Sequence, residues 1–303
     1  MADYGREIEF AYFLSPDADD PDRVAETARL ADRLGYDLLG IQDHPYQRRH
    51  LDGLALAGVV LARTERIHVF HAVANLPLRP PAMLAKAAAT LDLLSGGRFE
   101  LGLGGGGFLD AAHAMGAPAL TPRESIDALR EALPILRASL NGERSLRVDG
   151  RHYQLSGAHP GPAPAHQIGI WLGAAKPRAL ALTGRSADGW IAPLMNYQPP
   201  AQALKAQAVI DGAARDAGRD PGEVKRIYNI PGAIAPTAPA AWSDDDQTIV
   251  GPPDYWAEAL THLALDVGFD TFMLASEPDP ETLRSFAEEV APKVRENVAR
   301  ARG

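Results

Sequence analysis

Short apolar runs alternate with amphipathic helical patterns along the whole chain. Residues 8–14 (IEFAYFL) predict a first strand, and 21–34 (PDRVAETARLADRL) a first helix, opened by Pro21 and closed before Gly35. Further strands are predicted at 37–42, 67–74, 98–103, 168–173, 188–192, 224–231 and 269–274. Each is followed by a helical pattern, at 52–63, 80–95, 122–139, 176–185, 199–217, 253–265 and 280–296. Eight strand–helix units in succession predict an α/β fold, a (β/α)8 TIM barrel with loop insertions, as one domain over 1–303. The structural competitor is a doubly wound open sheet, which usually stops at fewer strands.

Two stretches interrupt the alternation. Residues 145–155 (SLRVDGRHYQL) predict a hairpin turning on Asp149-Gly150, and 156–166 (SGAHPGPAPAH) a loop. Residues 232–251 predict a second long loop, carrying Trp242 and the acidic run Asp244–Asp246. Both loops are expected to shape a substrate pocket, since long loops in compact domains are often lids or binding loops.

Composition narrows the function classes. The formal charge is −9 and no basic run is present, which disfavours nucleic acid and anionic membrane surfaces as partners. The polar N-terminus MADYGREIEF and the lack of an uninterrupted apolar run of spanning length lead to the expectation of a cytoplasmic protein. Cysteine is absent and the nine histidines are scattered, so no metal site is expected. No Gly-x-Ser-x-Gly elbow supports a hydrolase.

In a barrel, chemistry belongs at the C-terminal ends of the strands. After the second strand, Asp43 and His44 form a polar pair in which His44 can move a proton and Asp43 can orient it. After the third, Ala72, Val73 and Asn75 offer a small apolar surface and one amide. After the fourth, Gly104, Gly105, Gly106 and Gly107 strip side chains from one patch, allowing close approach of a ligand. After the fifth, Gly173, Ala174, Ala175, Lys176, Pro177 and Arg178 run into a helix start, where N–H groups, the helix dipole and two cations suit a phosphate.

The stretch 67–106, IHVFHAVANLPLRPPAMLAKAAATLDLLSGGRFELGLGGG, resembles the signature segment of luciferase-like flavin-dependent oxidoreductases, with LAKAAATLDLLSGGRFELGLG its most specific part. The stretch 168–193, IGIWLGAAKPRALALTGRSADGWIAP, resembles the family's phosphate-binding segment, and Gly251-Pro252 with 269–292 its closing elements. The resemblance implies a TIM barrel with FMN or the deazaflavin coenzyme F420 at its mouth. It also implies a non-prolyl cis peptide at Ala72-Val73, the cofactor phosphate at 173–178, and His44 near the ring or the substrate. Two departures matter. Bacterial luciferase carries a cation at the position of Gly105, and some deazaflavin dehydrogenases carry an acid at the position of Gly107, so sugar-phosphate dehydrogenase chemistry is disfavoured.

The phosphate segment does not separate the two cofactors. The Asp-His pair leans toward deazaflavin, and Arg48-Arg49 could meet that coenzyme's acidic tail. FMN would imply a monooxygenase served by a flavin reductase, deazaflavin an oxygen-independent hydride transfer. In either case a small-molecule substrate and a homodimer are expected. The alternative from another class is a degenerate cofactor-binding barrel or partner subunit, and a barrel hydrolase is a third.

Overall fold

The computed structural model describes residues 3–238, 241–277 and 279–303. The chain opens with β1 (Glu9–Leu14), α1 (Pro21–Leu34), β2 (Leu38–Ile41), α2 (Gly53–Arg63), β3 (His68–His71), β4 (Ala74–Asn75), α3 (Pro81–Ser95) and β5 (Phe99–Gly104). A short α4 (Leu109–Ala114) and a long α5 (Pro122–Leu140) lead to the hairpin β6 (Leu146–Asp149) and β7 (Gln154–Ala158). Then come β8 (Ile170–Gly173), α6 (Pro177–Ser186), β9 (Gly189–Leu194), α7 (Pro200–Asp216), β10 (Lys225–Ile234) and β11 (Ile249–Gly251). The chain ends with α8 (Pro253–His262), β12 (Thr271–Ala275), α9 (Pro280–Ser285) and α10 (Ala291–Arg302).

Eight parallel strands close on themselves in the order β1–β2–β3–β5–β8–β9–β10–β12, with β12 pairing back to β1. This is the expected (β/α)8 barrel. Inside it, Ala11, Leu38, Phe70, Trp171, Ile191, Ile227 and Met273 form a compact apolar plug. The outward strand faces pack against the helices in a larger second core. A side chain at Gly40 would lie 2.5 Å from Met273 Sδ, so the plug leaves no room there. The helix ends follow the sequence signals. Asp20 accepts the N–H of Arg23 at the start of α1, Gly35 closes it at φ 85°, and Thr121 with Glu124 forms a capping box on α5.

The structure departs from the sequence pattern in four places. The strand expected over 67–74 is interrupted after His71 and resumes as β4 beside Leu103 and Gly104. Both ends of the expected loop 232–251 are strand: β10 runs on to Ile234 and pairs Gly232–Ile234 with β11. Gly232 permits this, because a Cβ there would lie 2.1 Å from the Ile249 carbonyl oxygen and 2.5 Å from Trp256. The last two predicted helices each widen into a π-type turn, at Leu263–Val267 and Phe286–Val290. The fourth departure concerns the expected loop 156–166: its first residues, to Ala158, belong to β7, and its last, His166, is held at the N-terminal end of the barrel, away from the mouth. There His166 Nδ1 lies 2.7 Å from Asp92 Oδ1 and its Nε2 3.1 Å from Glu100 Oε1, under the start of β5.

That anchor is pH-sensitive. Burial alone would lower the His166 pKa, but the Glu100 and Asp92 carboxylates outweigh it and hold it above its ordinary value. A folded value above the unfolded one, about 6.5, gives stability that is complete below that pH and is lost as pH rises through the folded value. His166→Gln should therefore lower the urea midpoint more at about pH 5.5 than at about pH 8.5. Equal losses at both would show that His166 folds uncharged.

Candidate active site at the barrel mouth

The first wall of the mouth is made where β3 gives way to β4. The Ala72–Val73 peptide is cis, at the position the family resemblance implied. Here the chain crosses β5 so closely that a Cβ on Gly102 would sit 1.7 Å from the His71 carbonyl oxygen. Val73 then seats its side chain between two glycines. A Cβ on Gly104 would lie 2.6 Å from Val73 Cγ2, and one on Gly173 3.1 Å from both Val73 methyls. Gly105 meets Ser125 Oγ at 3.0 Å, and Gly106, at φ 100°, meets Pro77 at 2.9 Å. Only Gly107 of the run faces open space, with nothing within 4 Å of its Cβ position. Most of the glycine run is thus required by the protein's own packing, and one position is open.

Asp43 and His44 leave β2 in opposite roles. The Asp43 side chain is fully buried, and both its oxygens are engaged by Arg79, through Nε at 2.8 Å and Nη2 at 2.7 Å. It also accepts the Asn75 backbone N–H at 2.9 Å. Arg79 reaches on to Asp52 at 2.8 Å, the residue that caps α2. Burial pushes the Asp43 carboxyl up, but Arg79 and the Asn75 N–H outweigh it and hold it below the usual range. Asp43 therefore pins β2, β4 and α2 together, and no hydrogen bond joins it to His44 among the described residues.

His44 is half-buried and lies in an aromatic cluster. Its Nδ1 is 3.0 Å from the Tyr46 hydroxyl, and its ring centroid is 5.6 Å from Phe108, 5.3 Å from Tyr46 and 6.5 Å from His50. Burial first, then the neighbouring His50, pulls its pKa down, against the opposing pull of Asp43, so the ring is predominantly neutral at pH 7. Nε2 has no hydrogen-bond partner among the described residues. Phe108 follows the open Gly107 and is 56% exposed.

The last segment is the start of α6. Ala174 is buried, and its carbonyl accepts Trp190 Nε1–H at 2.8 Å, which fixes the turn. Ala175, Lys176, Pro177 and Arg178 are exposed, and no side chain caps the first turn of α6. Arg178 reaches Asp127 on α5 at 3.3 Å. The pair Arg48-Arg49 is exposed, and Arg49 is ion-paired with Asp19.

These residues fit a flat, phosphate-bearing coenzyme. Val73 between its two glycines gives a smooth apolar face. Among the described residues the buried Oδ1 of Asn75 has no hydrogen-bond partner, while its side chain also lies close to the Tyr46 hydroxyl. The uncapped α6 start with Lys176 and Arg178 suits an anion. Sequence reasoning missed Arg79, whose carboxylate lies 36 residues upstream, and the roles of Tyr46 and Phe108, for which only their position after strands gave a signal.

Fold and mouth together make a parallel (β/α)8 barrel with an apolar platform and an uncapped helix start at the C-terminal ends of its strands. A sequence profile of luciferase-like monooxygenases matches residues 8–259, and the chain belongs to that family. It is 26% identical over 294 residues to an F420-dependent glucose-6-phosphate dehydrogenase of Microbacterium testaceum (strain StLB037), covering 91% of this chain and 87% of that one. It is 32% identical over 232 residues to the protein of the same name from Nocardia farcinica (strain IFM 10152), covering 74% and 68%. The fold superposes on an F420-dependent secondary alcohol dehydrogenase solved with an F420–acetone adduct, with TM-score 0.83, 18% identity, and coverage of 95% of this chain and 99% of that one. No helix among the described residues is long and apolar enough to cross a membrane.

The glycine geometry predicts a sharp contrast within one loop. Gly102→Ala, forced against a backbone oxygen, should cost at least about 3 kcal/mol or prevent folding. Gly107→Ala should stay within about 0.5 kcal/mol. Urea denaturation reads both, and equal effects would refute the packing described. Arg79→Met should cost about 3–5 kcal/mol by leaving the buried Asp43 charge alone. A loss below about 1 kcal/mol would mean that Asp43 is not a structural pin.

Proposed function

We propose that this chain is an F420-dependent oxidoreductase that transfers a hydride between the deazaflavin coenzyme and a small organic substrate, with His44 handling the substrate proton. The observation that carries this reading is a half-buried imidazole at the end of β2, held at Nδ1 by Tyr46 and with Nε2 unpartnered among the described residues. The names of the two relatives support the deazaflavin over FMN. When bound, the deazaflavin supplies the hydride acceptor or donor. Ala72, Val73, Asn75 and Gly104–Gly106 would support the ring, and Gly173, Ala174, Ala175, Lys176, Pro177 and Arg178 would hold its phosphate. His44 takes the proton from a substrate hydroxyl at Nε2, or returns it in the reverse direction. Asp43 acts indirectly, by holding β2 and Asn75 in place. The aromatic wall of His44, Tyr46 and Phe108 suits a substrate with an apolar body and excludes water around the transferred hydride.

The same reading places the protein in the cytoplasm, as one domain over 1–303 and as a homodimer with its coenzyme recycled by a separate reductase. Support for the dimer comes from α2 and α3, which expose Val59 (43%), Met83 (62%) and Leu94 (83%) on adjoining helices.

Calorimetric titration with F420 and with FMN tests the reading directly. Micromolar or tighter binding of F420 alone is expected, and preferential FMN binding would turn the assignment to a monooxygenase. Lys176→Glu with Arg178→Glu should weaken F420 binding about 10- to 100-fold, the size of one charge-assisted contact. His44→Ala should cut kcat about 10²- to 10⁴-fold and leave coenzyme affinity unchanged. Full turnover in that variant would remove His44 from the chemistry.

A further inference from the structure

We propose that Tyr46 is the positioning residue for His44: its phenol oxygen accepts the Nδ1–H, fixing the ring and its tautomer so that the Nε2 lone pair faces the mouth. The proposal rests on the reading of His44 given above.

A histidine that must take a proton at one nitrogen needs the other nitrogen held by a partner. Asp43 is the obvious candidate from the sequence, since it precedes His44 directly. The structure gives its oxygens to Arg79 and to the Asn75 N–H instead. Tyr46 stands where that partner is needed. Its hydroxyl is 3.0 Å from Nδ1, and the two rings meet edge to face with centroids 5.3 Å apart at 65°. Phe108 packs against both, 5.6 Å from His44 and 5.8 Å from Tyr46. The imidazole is thus held by one hydrogen bond and by ring contacts to Tyr46, Phe108 and His50.

The chemistry of the phenol agrees with the role. Burial, then the nearby Asp43 charge, pushes the Tyr46 hydroxyl up to about 12, so it stays uncharged through the working range. A neutral acceptor on Nδ1–H stabilises the imidazolium less than a carboxylate would. The charged neighbours of the ring are Asp43, which favours the protonated form, and His50, which opposes it. With this partner His44 remains a weak base that is unprotonated at neutral pH and ready to accept a proton. A carboxylate partner would favour the protonated form more.

Histidine-labelled protein without coenzyme gives the first test, by nitrogen NMR of the side chains, with His44→Ala assigning the signal. Wild type should carry its neutral-state proton on Nδ1. Tyr46→Phe should move that proton wholly or partly to Nε2 and lower the His44 titration point. An unchanged tautomer in Tyr46→Phe would overturn the proposal. Should that variant not fold, 3-fluorotyrosine incorporation keeps the shape while weakening the phenol oxygen as acceptor, and should likewise lower the titration point. No shift there would overturn the proposal equally.

Turnover gives the second test. Tyr46→Phe should lower kcat about 10- to 100-fold, the size expected for an orienting partner, with coenzyme affinity unchanged. The rising limb of its kcat pH profile should move to lower pH. Tyr46→Phe added to His44→Ala should cause no further loss, because Tyr46 acts through His44. Multiplying losses would overturn the proposal and make Tyr46 a substrate contact in its own right. Full turnover in His44→Ala, together with the tautomer shift in Tyr46→Phe, would reject the proton-handling role of His44 while supporting the hydrogen bond.

Discussion

The mouth of this barrel hangs on one buried carboxylate. Asp43 has two oxygens and three donors, two from Arg79 and one from the Asn75 backbone. A carboxylate in that position must be fully paired, because an isolated buried charge is prohibitively costly. Satisfying it fixes the exit of β2, the residue that opens the turn after β4, and through Asp52 the start of α2. His44 is the next residue along the chain, so its backbone inherits that rigidity while its ring stays free for a different partner.

A second constraint is steric. The crossing of the His71 carbonyl over Gly102 brings Val73 into the space above β5, and only glycine at 104 and 173 lets it settle. Two strand ends far apart in sequence are thereby locked to one methyl-bearing side chain. The apolar platform proposed for the coenzyme is a by-product of packing that the barrel needs anyway. This explains why the glycines cluster at strand ends on one side of the mouth.

Much of the fold was legible in the sequence, because each barrel strand is a short apolar run flanked by Gly, Pro or Asp and followed by an amphipathic helix. The extension of β10 and its pairing with β11 was not, since that pairing depends on Gly232 lying under Trp256, a contact between distant segments. The same limit applies at the site. The strand-end rule singled out the segments after strands two to five, His44 among them. The division of labour between Asp43 and His44 was hidden, because Arg79 and Tyr46 decide it through three-dimensional contacts. The stretch 156–166 misled for a simpler reason: its length suggests a binding loop, but it leads from β7 into the start of β8, where His166 meets two acidic side chains at the N-terminal end of the barrel.

Gly107 is the one position in its glycine run with nothing near it. Evolutionarily, that makes it a soft spot in an otherwise rigid rim. A single nucleotide change there can introduce an acid, a cation or a larger side chain beside Phe108 without disturbing the scaffold below. The surface beside Phe108 can therefore change its chemistry while the packed strand ends beneath it keep theirs.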